Sequence, residues 1–294
     1  MPQPDVVDDE SVAAVEAGLD ALDTPTERRR RFTWRRAAAV VAPPVLAIVL
    51  LIAVWQALWA AAFWPEYQLP APAAVWQVIT DNVQTGVAFD VLWNSVHRAV
   101  LGFAAGVLIG TPLGLIVAKV RIVRAAIGPL LSGLQSLPSV AWVPAAVLWF
   151  GVTPSTVYFV VLMGSVPSIA NGLVAGIDQI PPILPRVGTV LGASRLGSAR
   201  HILLPAALPG YLAGLKQGWA FSWRSLMAAE IIAVSPQLGK GLGAFLEEGR
   251  NLSDMPTVIA AIFLILLVGI GIELLVFRPL ERSVLRARGL SGAF

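Results

Sequence analysis

Two charged residues stand in a stretch of the chain that is otherwise apolar. Arg224 and Glu230 lie within residues 210–234, a segment long enough to cross a bilayer. A charge at membrane depth is costly, so each side chain should face a cavity or find a partner. Six residues correspond to about 600° of helix rotation, so the two should not pair with each other. Arg224 suits either the attraction of an anion in transit or a structural ion pair, and Glu230 suits a structural or gating role.

A second unusual stretch is an apolar run that prolines interrupt. Pro138 and Pro144 break it, and Ser139 and Trp142 lie between them. A helix broken at mid-membrane exposes backbone polar groups, which is tolerated only beside protein or a water-filled cavity. The break is therefore either a structural kink or part of a polar path. The residues predicted to line a translocation path are Pro138, Ser139, Trp142, Trp223, Arg224 and Glu230.

Catalytic chemistry has little support in this sequence. The chain has no cysteine, and its two histidines, His97 and His201, are isolated, so no metal site is predicted. No nucleophile–base pair or paired carboxylates converge at a suggestive spacing. No phosphate-binding loop of the GxxxxGK[ST] type occurs, so any ATP that drives this protein must bind to another chain. We predict that the chain is not an enzyme and binds no cofactor.

The elements that must position these residues are long apolar runs. Of the 294 residues, 56% are apolar and 13% charged, against about 25% charged in soluble domains. The sequence therefore predicts an all-α integral membrane protein, and we assign its net charge of +3 to membrane topology rather than to nucleic-acid binding. The six predicted spans are residues 37–64, 93–118, 130–150, 155–176, 210–234 and 256–277.

Basic residues favour one orientation of these spans. They cluster before the first span, after the second, between the fourth and fifth, and after the sixth. Positive residues are enriched on the cytoplasmic side, so both termini are predicted to be cytoplasmic. Residues 1–36 are predicted to be an acidic disordered tail followed by a basic membrane-proximal anchor. Residues 37–278 form the six-span domain in this prediction, and residues 279–294 form a cytoplasmic tail.

The second predicted span carries small residues at a helical spacing. Glycines four residues apart place a strip along one helix face, where another helix can approach closely. Arg98, on the same span, is expected to extend its guanidinium toward the membrane surface. The strip is assigned to architecture rather than to chemistry. Its members are Gly102, Gly106, Gly110 and Gly114.

The loop between the fourth and fifth spans contains a spaced pattern. Gly192 is followed after nine residues by Ile202, and then by Leu204 and Pro205. In physical terms this is a short helix with a basic flank and a proline-bounded hinge into the next span. The pattern resembles the EAA signature of binding-protein-dependent ABC importer permeases. The Glu-Ala-Ala positions of that family correspond here to Arg186, Val187 and Gly188, which is a departure from its pattern.

Other motifs resemble one branch of that family, the nitrate, sulfonate, taurine and bicarbonate permeases. The similarity covers about residues 65–285. The motifs are Ser95-Val96-His97-Arg98, Gly102-Phe103, Leu137-Pro138-Ser139-Val140-Ala141-Trp142-Val143-Pro144, Leu148-Trp149-Phe150-Gly151, Leu204 to Gly210, and Ala228-Ala229-Glu230.

The resemblance implies a type I ABC importer permease fold with a coupling loop at about residues 186–205. A short helix near residues 191–198 would sit in a cleft of a cytoplasmic ATPase subunit, which binds the ATP and Mg. Further implied partners are a second copy of the permease, the bilayer and an extracytoplasmic substrate-binding protein. The implied location is the bacterial inner membrane. The loop residues carried over are Gly192, Ala193, Ser194, Arg195, Leu196, Gly197, Ile202, Leu204 and Pro205.

The implied cargo is a small anion such as a sulfonate, taurine, nitrate or bicarbonate. A thiamine precursor or another small organic solute is the alternative within the family. A secondary transporter that works alone would favour inverted repeats and a relay of titratable groups, and the sequence has no apparent repeat. A membrane-embedded enzyme has no supporting constellation of residues.

Overall fold

The computed structural model describes residues 34–233 and 239–286, and for residues 34–41, 195, 196 and 199 it describes the backbone alone. The predicted acidic tail and most of the basic anchor lie outside these ranges, as does the end of the predicted C-terminal tail. The described residues fall into two units, divided between Ala57 and Leu58.

Every regular element in the described ranges is helical. The first unit contains most of helix α1 (Trp34–Ala60). The helices of the second unit are α2 (Pro72–Gln84), α3 (Val87–Lys119), α4 (Arg121–Ser136), α5 (Val143–Phe150), α6 (Pro154–Asp178), α7 (Ile183–Val190), α8 (Arg195–Ser198), α9 (Leu204–Ile232), α10 (Leu242–Asn251), α11 (Met255–Ile272) and α12 (Arg278–Arg286). A 3-10 turn, Ser139–Trp142, precedes α5, and two π-helical segments, Ala199–Leu203 and Glu273–Phe277, join α8 to α9 and α11 to α12.

Four helical stretches within the described residues are long and apolar enough to cross a membrane. The bent pair of α4 with the segment Ser139–Phe150 makes a fifth if it counts as one span. Helix α9 has 29 residues, which is enough length, but Lys216, Arg224 and Glu230 interrupt its apolar character. Six spans therefore stay a prediction. The four stretches are Ala42–Ala60, Val87–Lys119, Pro154–Asp178 and Met255–Arg286.

The proline break predicted in the third span is present. The helices on its two sides meet at an angle of 99°. Leu137, the residue before Pro138, is extended with φ −75° and ψ 127°, because a proline ring disfavours helical backbone at the preceding residue. Pro144 does not break the chain a second time, since it lies in the first turn of α5, where no backbone N–H is needed.

The glycine strip of α3 packs against α6 as predicted. A Cβ atom added at Gly102 would lie 2.7 Å from Val161 Cγ1, and one added at Gly114 would lie 2.7 Å from the carbonyl oxygen of Ala170. Such distances are shorter than any real side-chain contact, so only glycine permits this helix separation. All four glycines of the strip are buried.

Helices α6 and α9 approach each other through a second set of glycines that the sequence analysis missed. A Cβ at Gly214 would lie 2.5 Å from the Cα of Gly172, and one at Gly210 would lie 2.6 Å from the Cα of Gly176. The two backbones are therefore in direct contact at two levels. Helix α6 is the central element of the second unit, since it packs extensively on both α3 and α9.

Replacing Gly214 with leucine should destabilise the fold. The new side chain meets backbone of α6 rather than a flexible side chain, and overpacking of this kind costs about 1–3 kcal/mol. The matched control is Gly271→Leu in α11, because no atom lies within 4 Å of a Cβ added there. Thermal melting in detergent should show a lower midpoint for Gly214→Leu alone. Equal midpoints for the two variants would contradict the packing described here.

Candidate functional site

A groove of about 560 Å³ runs between α9 and the last helical stretch of the chain. Its residues on α9 recur every three or four positions, so they form one helix face. Its residues on the other wall recur every four positions through the π-helical segment. The α9 wall consists of Pro209, Leu212, Ala213, Lys216, Gln217, Trp219, Ala220, Trp223 and Arg224, and the facing wall of Gly269, Glu273, Phe277 and Glu281.

The groove contains charges of both signs. Lys216 Nζ lies 2.5 Å from Glu273 Oε1, so these two side chains connect the walls. Arg224 is exposed, and its guanidinium carbon lies 5.2 Å from the centroid of the Phe221 ring. Within residues 34–233 and 239–286, no carboxylate lies within ion-pair distance of Arg224. Among the described residues, Arg224 is thus an exposed groove cation without a carboxylate partner, and it can meet an anion from solution.

The predicted path residues fall in three places. Trp223 and Arg224 line the groove, and Trp223 stacks on Trp219 with the ring centroids 6.4 Å apart. Ser139, at the proline break, accepts a hydrogen bond from Ser225 of α9, with 2.7 Å between the two hydroxyl oxygens. Pro138 is exposed and Trp142 packs edge-on against Phe159. The break therefore contacts α9 on a face other than the groove wall.

Glu230, the remaining predicted path residue, belongs to a buried ionic cluster instead. Its Oε1 accepts a hydrogen bond from Arg98 Nη1 at 2.8 Å, and its Oε2 accepts from Ser95 Oγ at 2.7 Å. The side chains of Arg98 and Glu230 are 13% and 2% exposed. The expectation that Arg98 extends to the membrane surface is wrong, because the carboxylate 132 residues away binds its guanidinium inside the protein.

The same cluster caps helix α10. The N–H of Gly243 donates to Glu230 Oε2 at 3.1 Å, and the N–H of Leu242 donates to Ser95 Oγ at 2.8 Å. These N–H groups have no partner within their own helix, and an anion is stabilised at a helix N-terminus. We refer to Ser95, Arg98, Glu230, Leu242 and Gly243 as the Glu230 cluster. It ties α3, α9 and α10 together.

The loop predicted to be the coupling loop, residues 186–205, contains two short helices joined by a tight turn. Gly192 has φ +77°, its N–H donates to the carbonyl of Thr189, and the N–H of Ala193 donates to the carbonyl of Gly188. This is the hydrogen-bond pattern of a Schellman motif, which ends α7 with glycine in the left-handed conformation. The helix expected near residues 191–198 therefore occupies only Arg195–Ser198.

Further contacts within the loop stabilise the residues on either side of that turn. The Ser194 hydroxyl accepts a hydrogen bond from the N–H of Gly197 at 3.0 Å. The Ile202 side chain packs directly over Gly188, where a Cβ would collide with it. Gly188, at the third of the Glu-Ala-Ala positions, thus leaves room for the Ile202 side chain. Pro205 lies in the first turn of α9, which begins at Leu204, while the side chains of Arg195 and Leu196 lie outside the described residues.

The loop presents apolar side chains to solvent. Val190 and Leu191, on either side of the end of α7, are 86% and 79% exposed. Ile183, Leu184 and Val187 on the same short helix are also exposed. Contiguous exposed apolar surface of this kind marks a contact with another protein or with the membrane.

Comparison with known proteins identifies the family. Residues 110–281 match the model of the family described as binding-protein-dependent transport system inner membrane component. The chain belongs to this family. The matched range contains the groove, the proline break and the coupling loop of the permease, while Ser95 and Arg98 of the Glu230 cluster precede it.

Curated relatives of the permease match over most of its length. The taurine transport system permease of Escherichia coli is 28% identical over 87% of this chain and 93% of its own. The nitrate import permease of Synechocystis is 27% identical over 89% and 94%. The aliphatic sulfonates transport permease of Bacillus subtilis, itself a provisional assignment, is 26% identical over 88% and 90%. These relatives are transport components rather than enzymes, and they belong to the branch that the motifs predicted.

A solved structure shares the fold of the permease. A chain of the MetNI methionine ABC transporter in an inward-facing conformation superposes with a TM-score of 0.52, at 17% identity. The match covers 65% of this chain and 93% of that one. The likeness supports the type I permease fold.

The sequence analysis missed the acidic wall of the groove. Glu273 and Glu281 were not among the predicted path residues, and neither was Lys216. Each is a charge within or next to a predicted span, which is a signal for a cavity or a partner. The spacing of Glu273 and Glu281 would have selected these two glutamates, since they share a helix face with Gly269.

Proposed function

We propose that this permease subunit forms the translocation path of an ATP-driven importer for a small anion, such as a sulfonate, taurine, nitrate or bicarbonate. The observation that supports an anion as the cargo is Arg224, an exposed groove-lining cation without a carboxylate partner in the described residues. The taurine, nitrate and sulfonate relatives support the same class of cargo.

The assembly in this proposal follows the family. Two copies of the permease pair around the path, because one groove that is open to solvent does not enclose a substrate. Cytoplasmic ATPase subunits bind ATP and Mg and contact the coupling loop through Val190 and Leu191. A binding protein outside a bacterial inner membrane delivers the anion, and six spans leave both termini in the cytoplasm.

The exposed apolar residues of the coupling loop support the ATPase contact. A helix end with Val190 and Leu191 in water is unfavourable for an isolated chain, because burying such side chains stabilises by about 1.5–3 kcal/mol each. The Schellman turn at Gly192 fixes the direction of the chain at this point, so the apolar surface is held in one orientation.

Arg224→Gln should reduce anion uptake about tenfold, since a hydrogen bond to a charged group contributes about 1.5–3 kcal/mol. The measurement is ATP-dependent uptake of labelled taurine, ethanesulfonate and nitrate by the purified complex in proteoliposomes. Arg224→Lys keeps the charge and should retain most of the uptake. Arg121→Gln, at the start of α4 and outside the groove lining, is the control. Uptake of a neutral thiamine precursor, with no uptake of the anions, would overturn the anion assignment.

A further inference from the structure

Lys216 and Glu273 face each other across the groove. We propose that they form a displaceable ionic bridge, and that Lys216 binds the transported oxyanion after the anion displaces Glu273. The bridge would make Lys216 a second specificity-determining residue beside Arg224. This inference rests on the groove being the translocation path, as proposed above.

The bridge connects the two walls of the groove. Lys216 Nζ and Glu273 Oε1 are 2.5 Å apart, and both residues line the groove. Glu273 is the first residue of the π-helical segment Glu273–Phe277. Single π-helical turns within α-helices are frequent at functional sites. The bridge therefore crosses the groove beside a feature that is common at functional sites.

The solvent exposure of the bridge makes it easy to open. The side chains of Lys216 and Glu273 are 44% and 37% exposed, and exposed ion pairs contribute little to stability. Within the part of the chain that the structure describes, each has the other as its sole ionic partner. The Arg98–Glu230 pair is the opposite case, since it is buried and its carboxylate accepts further hydrogen bonds. The buried Arg98–Glu230 pair is thus built to persist, whereas the exposed Lys216–Glu273 pair is able to exchange partners.

The order of charges along the groove suits an anion that moves in steps. Arg224 and Glu281 each lie eight residues, or about 12 Å along a helix, from the bridge residue on their own wall. An anion held by Arg224 would next meet Lys216 on the same helix face, while the carboxylates of Glu273 and Glu281 on the facing wall would disfavour a long stay.

The chemistry fits a small monovalent oxyanion. Nitrate and sulfonate groups accept hydrogen bonds in several directions, as the carboxylate of Glu273 does, so either can replace it at the Lys216 ammonium. A neutral solute has no charge with which to compete for the ammonium. The bridge would therefore reject neutral solutes at the same point where it admits anions.

The lysine content of the chain allows a direct test. Its lysines are Lys119, Lys216 and Lys240. Reductive methylation with a ¹³C label keeps each lysine cationic and gives few NMR signals, which Lys→Arg variants assign. Lys240 pairs with Glu248 outside the groove lining, so it reports ionic screening within the same sample. The full-length chain, in nanodiscs of zwitterionic lipid, is titrated with sodium methanesulfonate and sodium nitrate.

The proposal predicts a saturable shift of the Lys216 signal and only a gradual, salt-like change at Lys240. In Glu273→Gln, the half-saturating anion concentration should fall about threefold to tenfold. In the unsubstituted chain the Glu273 carboxylate competes with the anion for the Lys216 ammonium, and the apparent anion affinity is reduced to the fraction of molecules in which that ammonium is unoccupied. Lys216 and Lys240 signals that change in parallel in the unsubstituted chain would overturn the bridge, and this result does not depend on the folding of Glu273→Gln. An unchanged half-saturation in folded Glu273→Gln would also overturn it.

Failure of the ionic bridge can be distinguished from failure of the proposed importer function. If Lys216 does not respond in a permease that copurifies with an ATPase, the importer stands and the bridge is wrong. If Lys216 binds anions saturably but no ATPase is found, the anion site stands and the ATP-driven importer is wrong.

Discussion

Gly192→Val is expected to lower the amount of ATPase that copurifies with the permease by about tenfold and to abolish uptake, while the protein stays folded in the membrane. Gly192 has φ +77°, a conformation that costs an L-residue about 1–2 kcal/mol and a β-branched residue more. The strain should unwind the Schellman turn and misdirect Val190 and Leu191, the apolar side chains assigned to the ATPase contact.

The experiment has a matched control within the chain. Gly86 also has positive φ, +82°, and no atom lies within 4 Å of a Cβ added at either glycine. Gly86→Val should therefore suffer comparable backbone strain at the start of α3, far along the chain from the coupling loop. Both variants are purified in mild detergent, and the bound ATPase is quantified against the permease. Equal ATPase recovery in the two variants would contradict the role assigned to the loop.

Glu230→Gln is expected to lower the free energy of unfolding by about 3–5 kcal/mol, the usual cost of breaking a buried ion pair on one side. The carboxylate offers two acceptor oxygens, one to Arg98 and one to Ser95 and the N–H of Gly243. Glutamine offers one acceptor oxygen and an NH₂ group, so at least one donor of the cluster must face another donor. The guanidinium of Arg98 is also left without its counter-charge.

Chemical denaturation in mixed micelles measures this loss. The control is Asp178→Asn, which breaks the Arg124–Asp178 pair, whose side chains are 46% and 43% exposed. Breaking an exposed pair should cost no more than about 1 kcal/mol. The double variant Arg98→Met/Glu230→Gln should be less destabilised than the sum of its single variants, because both buried charges are removed together. Additive losses would show that the two side chains do not act as a pair.

Features that depend on local spacing were predictable from the sequence. The four-residue repeat from Gly102 to Gly114 indicates a close helix contact whatever the partner is. The break at Pro138 follows from the conformations that proline forbids to its neighbour. The spacing of Gly192 and Pro205 predicted a short, stiff loop, and the structure has a tight turn at Gly192, while the role of this loop in coupling stays a prediction.

Features that depend on which helices meet were not predictable. Arg98 and Glu230 are 132 residues apart, and nothing in either helix specifies the other as its partner. The same holds for Gly172 and Gly214, whose backbones touch across α6 and α9. Solvation of Arg98 at the membrane surface was a reasonable expectation for one helix alone. It is overridden once a second helix brings a carboxylate to the guanidinium.

The most direct test of the central claim is a pull-down of the tagged permease from its native membrane in mild detergent, with the bound proteins identified by mass spectrometry. The account predicts a nucleotide-binding ATPase among them, which the Gly86→Val variant retains and the Gly192→Val variant loses. A stable complex that contains no ATPase, together with uptake driven by an ion gradient, would contradict the account and favour a transporter that works alone.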